Sequence, residues 1–175
     1  FLSVRGATTA QLLAKIKQNG QTVLESLDKT IRGSDRVATT CSFGGTLIDT
    51  IILFNDGIFQ RFRFEAETSG VNGKISGDQP ALTPAQLIDN VALTSACLGA
   101  FIPASSFVLT DSDLRTGVSV LPATSSPADY IILNQRPGYE DTVTVQFRLK
   151  PSVQTPQSLS SQIEPVAFQT TVELR

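Results

Sequence analysis

Histidine, methionine and tryptophan are all absent from this chain of 175 residues. Without histidine the commonest general base and the commonest metal ligand are missing, which excludes many enzyme classes at once. Charge is sparse as well: 14 basic and 16 acidic residues leave a net −2, which argues against a nucleic-acid or anionic-membrane partner. No run of 18 or more apolar residues occurs, so nothing here reads as a membrane span, and no apolar signal segment is seen. With no methionine in the chain, Phe1 is expected not to be a translation start. We expect the chain to be processed or cut from a longer one.

Ser and Thr are plentiful, 36 together, and 41% of the chain is hydrophobic. A polar but weakly charged surface with many β-branched residues suits an exported β-rich domain. The length is enough for one domain burying roughly 70% of its unfolded surface. Cys41 and Cys97 fit one disulfide in an oxidising compartment, the plainer alternative being two buried thiols. A bridge there would add about 4 kcal/mol by restricting the unfolded chain.

Residues 1–36 differ from everything after them. From Gln11 to Arg32 no proline occurs, and Leu13, Ile16, Val23, Leu24, Leu27 and Ile31 fall on one face of a helix, with Gly20 in the gap. Lys15, Lys17, Gln18, Gln21, Glu25 and Lys29 make the opposite, solvated face. Gly33-Ser34 reads as the stop. Nearer the start the apolar stripe fades, so that part of the helix is expected to project beyond the domain. Six basic and three acidic residues give this segment +3 and leave −5 for residues 37–175.

Beyond Gly33 the period changes to two. Thr46–Phe54 and Ile58–Phe64 flank Asn55-Asp56-Gly57, a hairpin signal. Phe62 and Phe64 share a face with Ile58, while Arg61, Arg63 and Glu65 point the other way. Lys74–Ser76, Tyr130–Leu133, Thr142–Leu149 and Ala167–Leu174 read as further strands, and Pro151–Pro165 as an exposed loop. Thr83-Pro84-Ala85-Gln86 reads as a capping box opening a short helix over Pro84–Asn90. Leu82-Thr83-x-x-x-Leu87-x-x-x-Val91 recurs as Leu109-Thr110-x-x-x-Leu114-x-x-x-Val118, a duplicated unit or a coincidence.

Candidate chemistry is thin. The acidic pairs Glu65/Glu67, Asp111/Asp113 and Glu140/Asp141 sit beside turn residues, where solvation keeps carboxylates ordinary. Asp111-Ser112-Asp113 lacks the glycine and the closing glutamate of a calcium loop, and turn capping is its plainer role. No glycine-rich phosphate loop is present, and no histidine is available to activate Cys41. We expect no catalytic, cofactor or metal site. The molecule is expected to work by presenting surface.

The order of elements, and two motifs in particular, resemble type IV pilin-like proteins. Leu24-x-x-Leu27-Asp28-Lys29-x-Ile31-Arg32-x-x-Asp35-x-Val37 looks like the end of the N-terminal helix in minor pilins and type II secretion pseudopilins. The ending Phe168-Gln169-Thr170-Thr171-Val172-Glu173-Leu174-Arg175 resembles their last strand, and Leu109-Thr110-Asp111-Ser112-Asp113-Leu114 a segment that precedes their final strands. The resemblance implies an α+β fold, one long N-terminal helix laid on a single antiparallel sheet of four or more strands. It implies a structural subunit of a pilus or secretion pseudopilus, anchored in the inner membrane by an apolar segment that this chain lacks, then assembled into a cell-surface filament. Partners would be other pilin-like subunits. Leu13, Ile16, Leu24, Leu27 and Ile31 would then pack on the chain's own sheet, and Val4, Ala7, Ala10 and Ala14 would face neighbouring helices, small side chains permitting close approach. The alternative is an exported binding or adhesin domain of α+β fold.

Overall fold

The N-terminal helix α1 runs Leu2–Arg32 in the computed structural model, which describes residues 2–124 and 128–174, with side chains from Thr8 onward. Ile16, Val23, Leu27 and Ile31 are buried, and Leu12, Leu13 and Leu24 lie half-buried at the margins of the same stripe. Gly20 fills the remaining stripe position for a steric reason. The ring of Phe168 sits over it, and a methyl group at residue 20 would overlap that ring. The helix closes as Gly33 N–H donates to the Lys29 carbonyl at 3.1 Å and the Ser34 hydroxyl to that of Thr30 at 2.7 Å.

Five strands follow, all antiparallel and each beside its sequence neighbour: β1 Arg36–Cys41, β2 Thr50–Asn55, β3 Ile58–Glu65, β4 Lys74–Asp78 and β5 Phe107–Val108. The β2–β3 hairpin turns through Asp56 and Gly57, with φ of 46° and 81°. Gly57 supplies at no steric cost what Asp56 tolerates through its short polar side chain. Between β4 and β5 the chain makes a 3₁₀ turn, Pro84–Ile88, and a helix α2, Asn90–Leu98, crossing the outer face of the sheet. Thr83 N–H donates to the Gln86 side chain at 2.8 Å. Asp89 caps α2 by accepting from Val91 and Ala92 N–H, both at 3.0 Å.

A second antiparallel sheet is built around β8, Thr142–Pro151. On one edge of β8 lie β6, Val118–Leu121, and β7, Ile131–Asn134, end to end; on the other lies β9, Val166–Glu173. A single-turn helix α3, Gln157–Ser160, stands between β8 and β9. Val143, Val145, Phe147 and Leu149 face inward from β8 and meet α1, together with Ile51, Leu53, Phe62, Phe64 and Ile75 from the inner face of the first sheet. Phe64 stacks on Tyr130 at 5.3 Å between centroids, and Phe147 on Phe168 at 5.5 Å.

The expectation of one helix on one sheet is therefore corrected. The strands form two separate sheets of five and four, and α1 packs on β8 and β9 of the second, its apolar stripe joining a core that both sheets line. The fold remains broadly α+β. The first sheet is covered on both faces, by the shared core inside and by α2 outside. Ile58, which alternation puts on the face of Phe62 and Phe64, is exposed at the hairpin tip.

Smaller differences have local causes. β2 begins at Thr50 and not at residue 46, because Asp49 folds the preceding segment around its carboxylate, accepting from Phe43 N–H at 2.8 Å and Gly44 N–H at 2.7 Å. β1, β6 and α2 escaped the sequence reading because each is short and uncharged or only weakly alternating. Pro151–Pro165 is not simply an exposed loop: Pro151, Ser152, Thr155 and Ile163 are buried, and the Ser152 and Thr155 hydroxyls bond at 3.0 Å. The two similar segments take different structures, 3₁₀ turn and helix at residues 82–96, extended and turn backbone at 109–118, so no unit is duplicated.

Candidate functional site

On α1 the side turned away from the core changes character along its length. Lys17, Gln18, Gln21, Glu25, Lys29 and Arg32 are exposed on the C-terminal two thirds, whereas Ala10, Gln11 and Ala14 are exposed on the N-terminal third. Of the four residues expected at an assembly surface, Ala10 and Ala14 are open to solvent; the side chains of Val4 and Ala7 lie outside the described residues. Lys15 is pinned to the body, its ammonium 2.7 Å from the Asp111 carboxylate and donating also to the Thr116 carbonyl. That hydrogen bond from Lys15 holds the Asp111 carboxyl below the usual carboxylate range. Of the expected helix–sheet core, Ile16, Leu27 and Ile31 are fully enclosed, while Leu13 and Leu24 sit at its edge.

Cys41 and Cys97 form a disulfide, with Cα atoms 6.3 Å apart. It ties the end of β1 to α2, and with Ile52, Phe59 and Leu93 makes a second, small apolar core on the outer face of the first sheet. Beside it lie two arginines that the alternation placed on this face without a partner. Arg61 is 1% exposed and Asp78, opposite it on β4, is fully buried; Nε and Nη2 reach the two carboxylate oxygens at 2.8 and 2.6 Å. Arg61 also donates to the carbonyls of Ala96, Gly99 and Ala100, and Ile102 N–H donates to Asp78 at 2.8 Å. Arg63 donates to the Cys97 carbonyl at 2.7 Å and to that of Gly99 at 2.9 Å, and lies over the Phe43 ring at 3.5 Å. Burial and the neighbouring Arg61 lower its pKa. These groups are structural. They fasten the loop after α2 to the sheet by satisfying its carbonyls.

Members of all three acidic pairs are engaged by other groups. Glu67 accepts from Lys150 at 2.6 Å and from the Ser119 hydroxyl at 2.8 Å, while Glu65 faces Lys74. Asp141 accepts from Gln135 at 3.0 Å. Asp113 caps its own turn, accepting from Arg115 and Thr116 N–H, and these bonds lower its pKa. Among the described residues no group of three or more Cys, Asp or Glu could hold a metal, and no helix is long and apolar enough to cross a membrane.

One concavity unforeseen in the sequence lies between Phe43–Asp49 and Phe64–Thr68. A cleft of about 440 Å³ there is lined by Phe43, Asp49, Glu65, Glu67 and Tyr130 among others. Tyr130 is 2% exposed, and among the described residues its hydroxyl has no hydrogen-bond partner. Burial first, and then the charge of Asp49, push its phenol upward and keep it neutral. No family model, curated protein or solved structure matches the chain.

Proposed function

We propose that this chain is a structural subunit of a cell-surface filament of the type IV pilus or type II secretion pseudopilus kind, working by helix assembly and surface presentation and carrying out no catalysis. The observation that supports this most directly is the contrast along α1. Its C-terminal two thirds bury a stripe in the chain's own core and expose charge, while its N-terminal third exposes Ala10, Gln11 and Ala14. An isolated helix end gains little from propensity and most from burial against a partner. Small side chains let a neighbouring helix approach closely, where long charged ones hold the axes apart. Other pilin-like subunits are the partners, and an apolar segment outside this chain is the membrane anchor before assembly.

The test is incorporation. In the complete protein expressed in its own cells, the chain is expected in filaments sheared from the surface, and Ala7→Glu with Ala10→Glu removes it from them. The melting temperature of the globular part stays within a few degrees. If the double variant unfolds the domain, those residues belong to its own core. Filaments that form normally with it overturn the assignment. The cleft at Tyr130 favours a second reading, an exported binding domain, and absence of the wild-type chain from any filament would shift the weight there.

A further inference from the structure

Asp49 is 5% exposed, yet among the described residues no lysine or arginine forms an ion pair with it. The other aspartate enclosed so deeply, Asp78, is paired with Arg61 at 2.6 Å. Asp49 instead accepts from Phe43 N–H at 2.8 Å, Gly44 N–H at 2.7 Å and the Thr50 hydroxyl at 2.8 Å. Arg63 is joined to it through that hydroxyl, donating to Thr50 Oγ1 at 3.2 Å. These bonds occupy lone pairs and leave an enclosed negative charge without a cation against it.

Asp49 lines the cleft between Phe43–Asp49 and Phe64–Thr68, and so does Tyr130, the buried phenol whose hydroxyl is unpartnered among the described residues. The charge of Asp49 acts on that phenol, as does Arg148, itself held by the Pro122 carbonyl at 2.7 Å. Two groups in one cleft are thus short of a partner. A positively charged N–H suits both, since a carboxylate and a phenol oxygen each accept from it. The rest of the lining agrees. It holds no basic residue, and Glu65 and Glu67 add carboxylates that Lys74, at 3.6 Å, and Lys150, at 2.6 Å, meet from outside the lining. The rings of Phe43, Phe64 and Tyr130 attract cations through their quadrupoles, and the Arg63 guanidinium already lies over Phe43 at 3.5 Å. A bare metal ion fits poorly: among the described residues no acidic group gathers as a metal site, and the apolar walls would stay unfilled. About 440 Å³ is the size of a small-molecule site.

We infer that this cleft binds an alkylammonium group, its nitrogen shared by Asp49 and Tyr130 and its carbon chain laid against Phe43, Leu47 and Phe64. Free small amines and the lysine side chain of a partner protein both carry that chemistry. The inference goes beyond the filament reading and does not depend on it.

Titration of the 175-residue chain with n-butylammonium, near neutral pH and at constant ionic strength, tests it through the NMR amide shifts of Gly44 and Gly45. Saturable shifts are expected, and n-butanol, of equal length and uncharged, should bind at least about tenfold more weakly. Tyr130→Phe should weaken n-butylammonium about threefold to tenfold, with the melting temperature unchanged because the lost hydroxyl has no partner among the described residues. Asp49→Asn should remove the preference for the ammonium over the alcohol. If that variant melts early because the loop it holds is disturbed, the Tyr130→Phe result decides alone. Nα-acetyl-lysine N-methylamide separates the two sources. Affinity equal to or above that of n-butylammonium assigns the cleft to a partner's lysine, and its exclusion assigns the cleft to a free amine. Absence of a saturable shift, equal binding of n-butanol, or unchanged affinity in Tyr130→Phe each overturns the inference. No filament enters the titration, so failure here leaves the assembly proposal standing.

Discussion

The two faces of β3 are held against the rest of the molecule in different ways. On the inner face Phe62 and Phe64 join a large core shared by α1 and both sheets, where any apolar group of suitable volume contributes through the area it removes from water. On the outer face Arg61 and Arg63 lie under α2 with a small apolar cluster beside them, and directed bonds take over: a bidentate ion pair, five hydrogen bonds to four carbonyls and a disulfide. The first region tolerates conservative exchange and loses stability in proportion to the volume removed. The second is intolerant of losing one partner, because whatever remains is buried without a match.

The largest expected effect is therefore at Arg61. Arg61→Ala leaves Asp78 in the interior without its cation and should cost about 3–5 kcal/mol in urea denaturation. Replacing both, as Arg61→Met with Asp78→Leu, removes the unmatched charge and should recover most of that loss. If the double replacement is as damaging as the single one, the carbonyl contacts of Arg61 and not its pairing hold this face. On the inner side Leu27→Ala should cost about 2–5 kcal/mol, through transfer and cavity terms, with Lys29→Ala two residues on under about 0.5 kcal/mol. Equal effects at these two positions would mean that α1 does not bury the stripe described.

These regions were not equally legible in the sequence. The inner core was, because the 3–4 spacing of Ile16, Leu27 and Ile31 and the alternation of Val143, Val145, Phe147 and Leu149 each bury one side of one element. The hairpin was legible from Asp56-Gly57, whose backbone demand is local. The outer region was not. Alternation put Arg61 and Arg63 opposite the phenylalanines, and arginine on such a face ordinarily meets water; that α2 would cross it depends on the path of residues 79–106, which no local pattern encodes. The division into two sheets was hidden for the same reason, since pairing partners of short strands are set by tertiary contacts.

The disulfide gives a test of intermediate size. Exchanging Cys41 and Cys97 for alanine should cost about 2–4 kcal/mol, partly through the unfolded chain and partly through the small core that Cys97 completes. Amide exchange should locate the loss: protection should fall in α2 and β1 and stay nearly unchanged in β8 and β9. A uniform loss over both sheets would show that the two regions unfold as one cooperative unit.

The smallest effect expected is at the Lys15–Asp111 contact, which ties the N-terminal third of α1 to the turn before β6. The two side chains are 39% and 36% exposed, so solvent screens the pair and its contribution should stay below about 1 kcal/mol. Its pH dependence is nevertheless diagnostic. The folded carboxyl of Asp111 titrates below its unfolded value of about 3.9, chiefly through the hydrogen bond from Lys15. Stabilisation is therefore complete above that value and is lost as the pH falls through the lower, folded one. Wild type and Asp111→Asn should differ by a small constant amount near neutrality and converge in acid, below about pH 4. Asp113 stays lowered by its own turn and should respond alike in both proteins. A difference that persists undiminished into strong acid would mean that the asparagine disturbs the turn itself, and that the ion pair does not hold the helix to it.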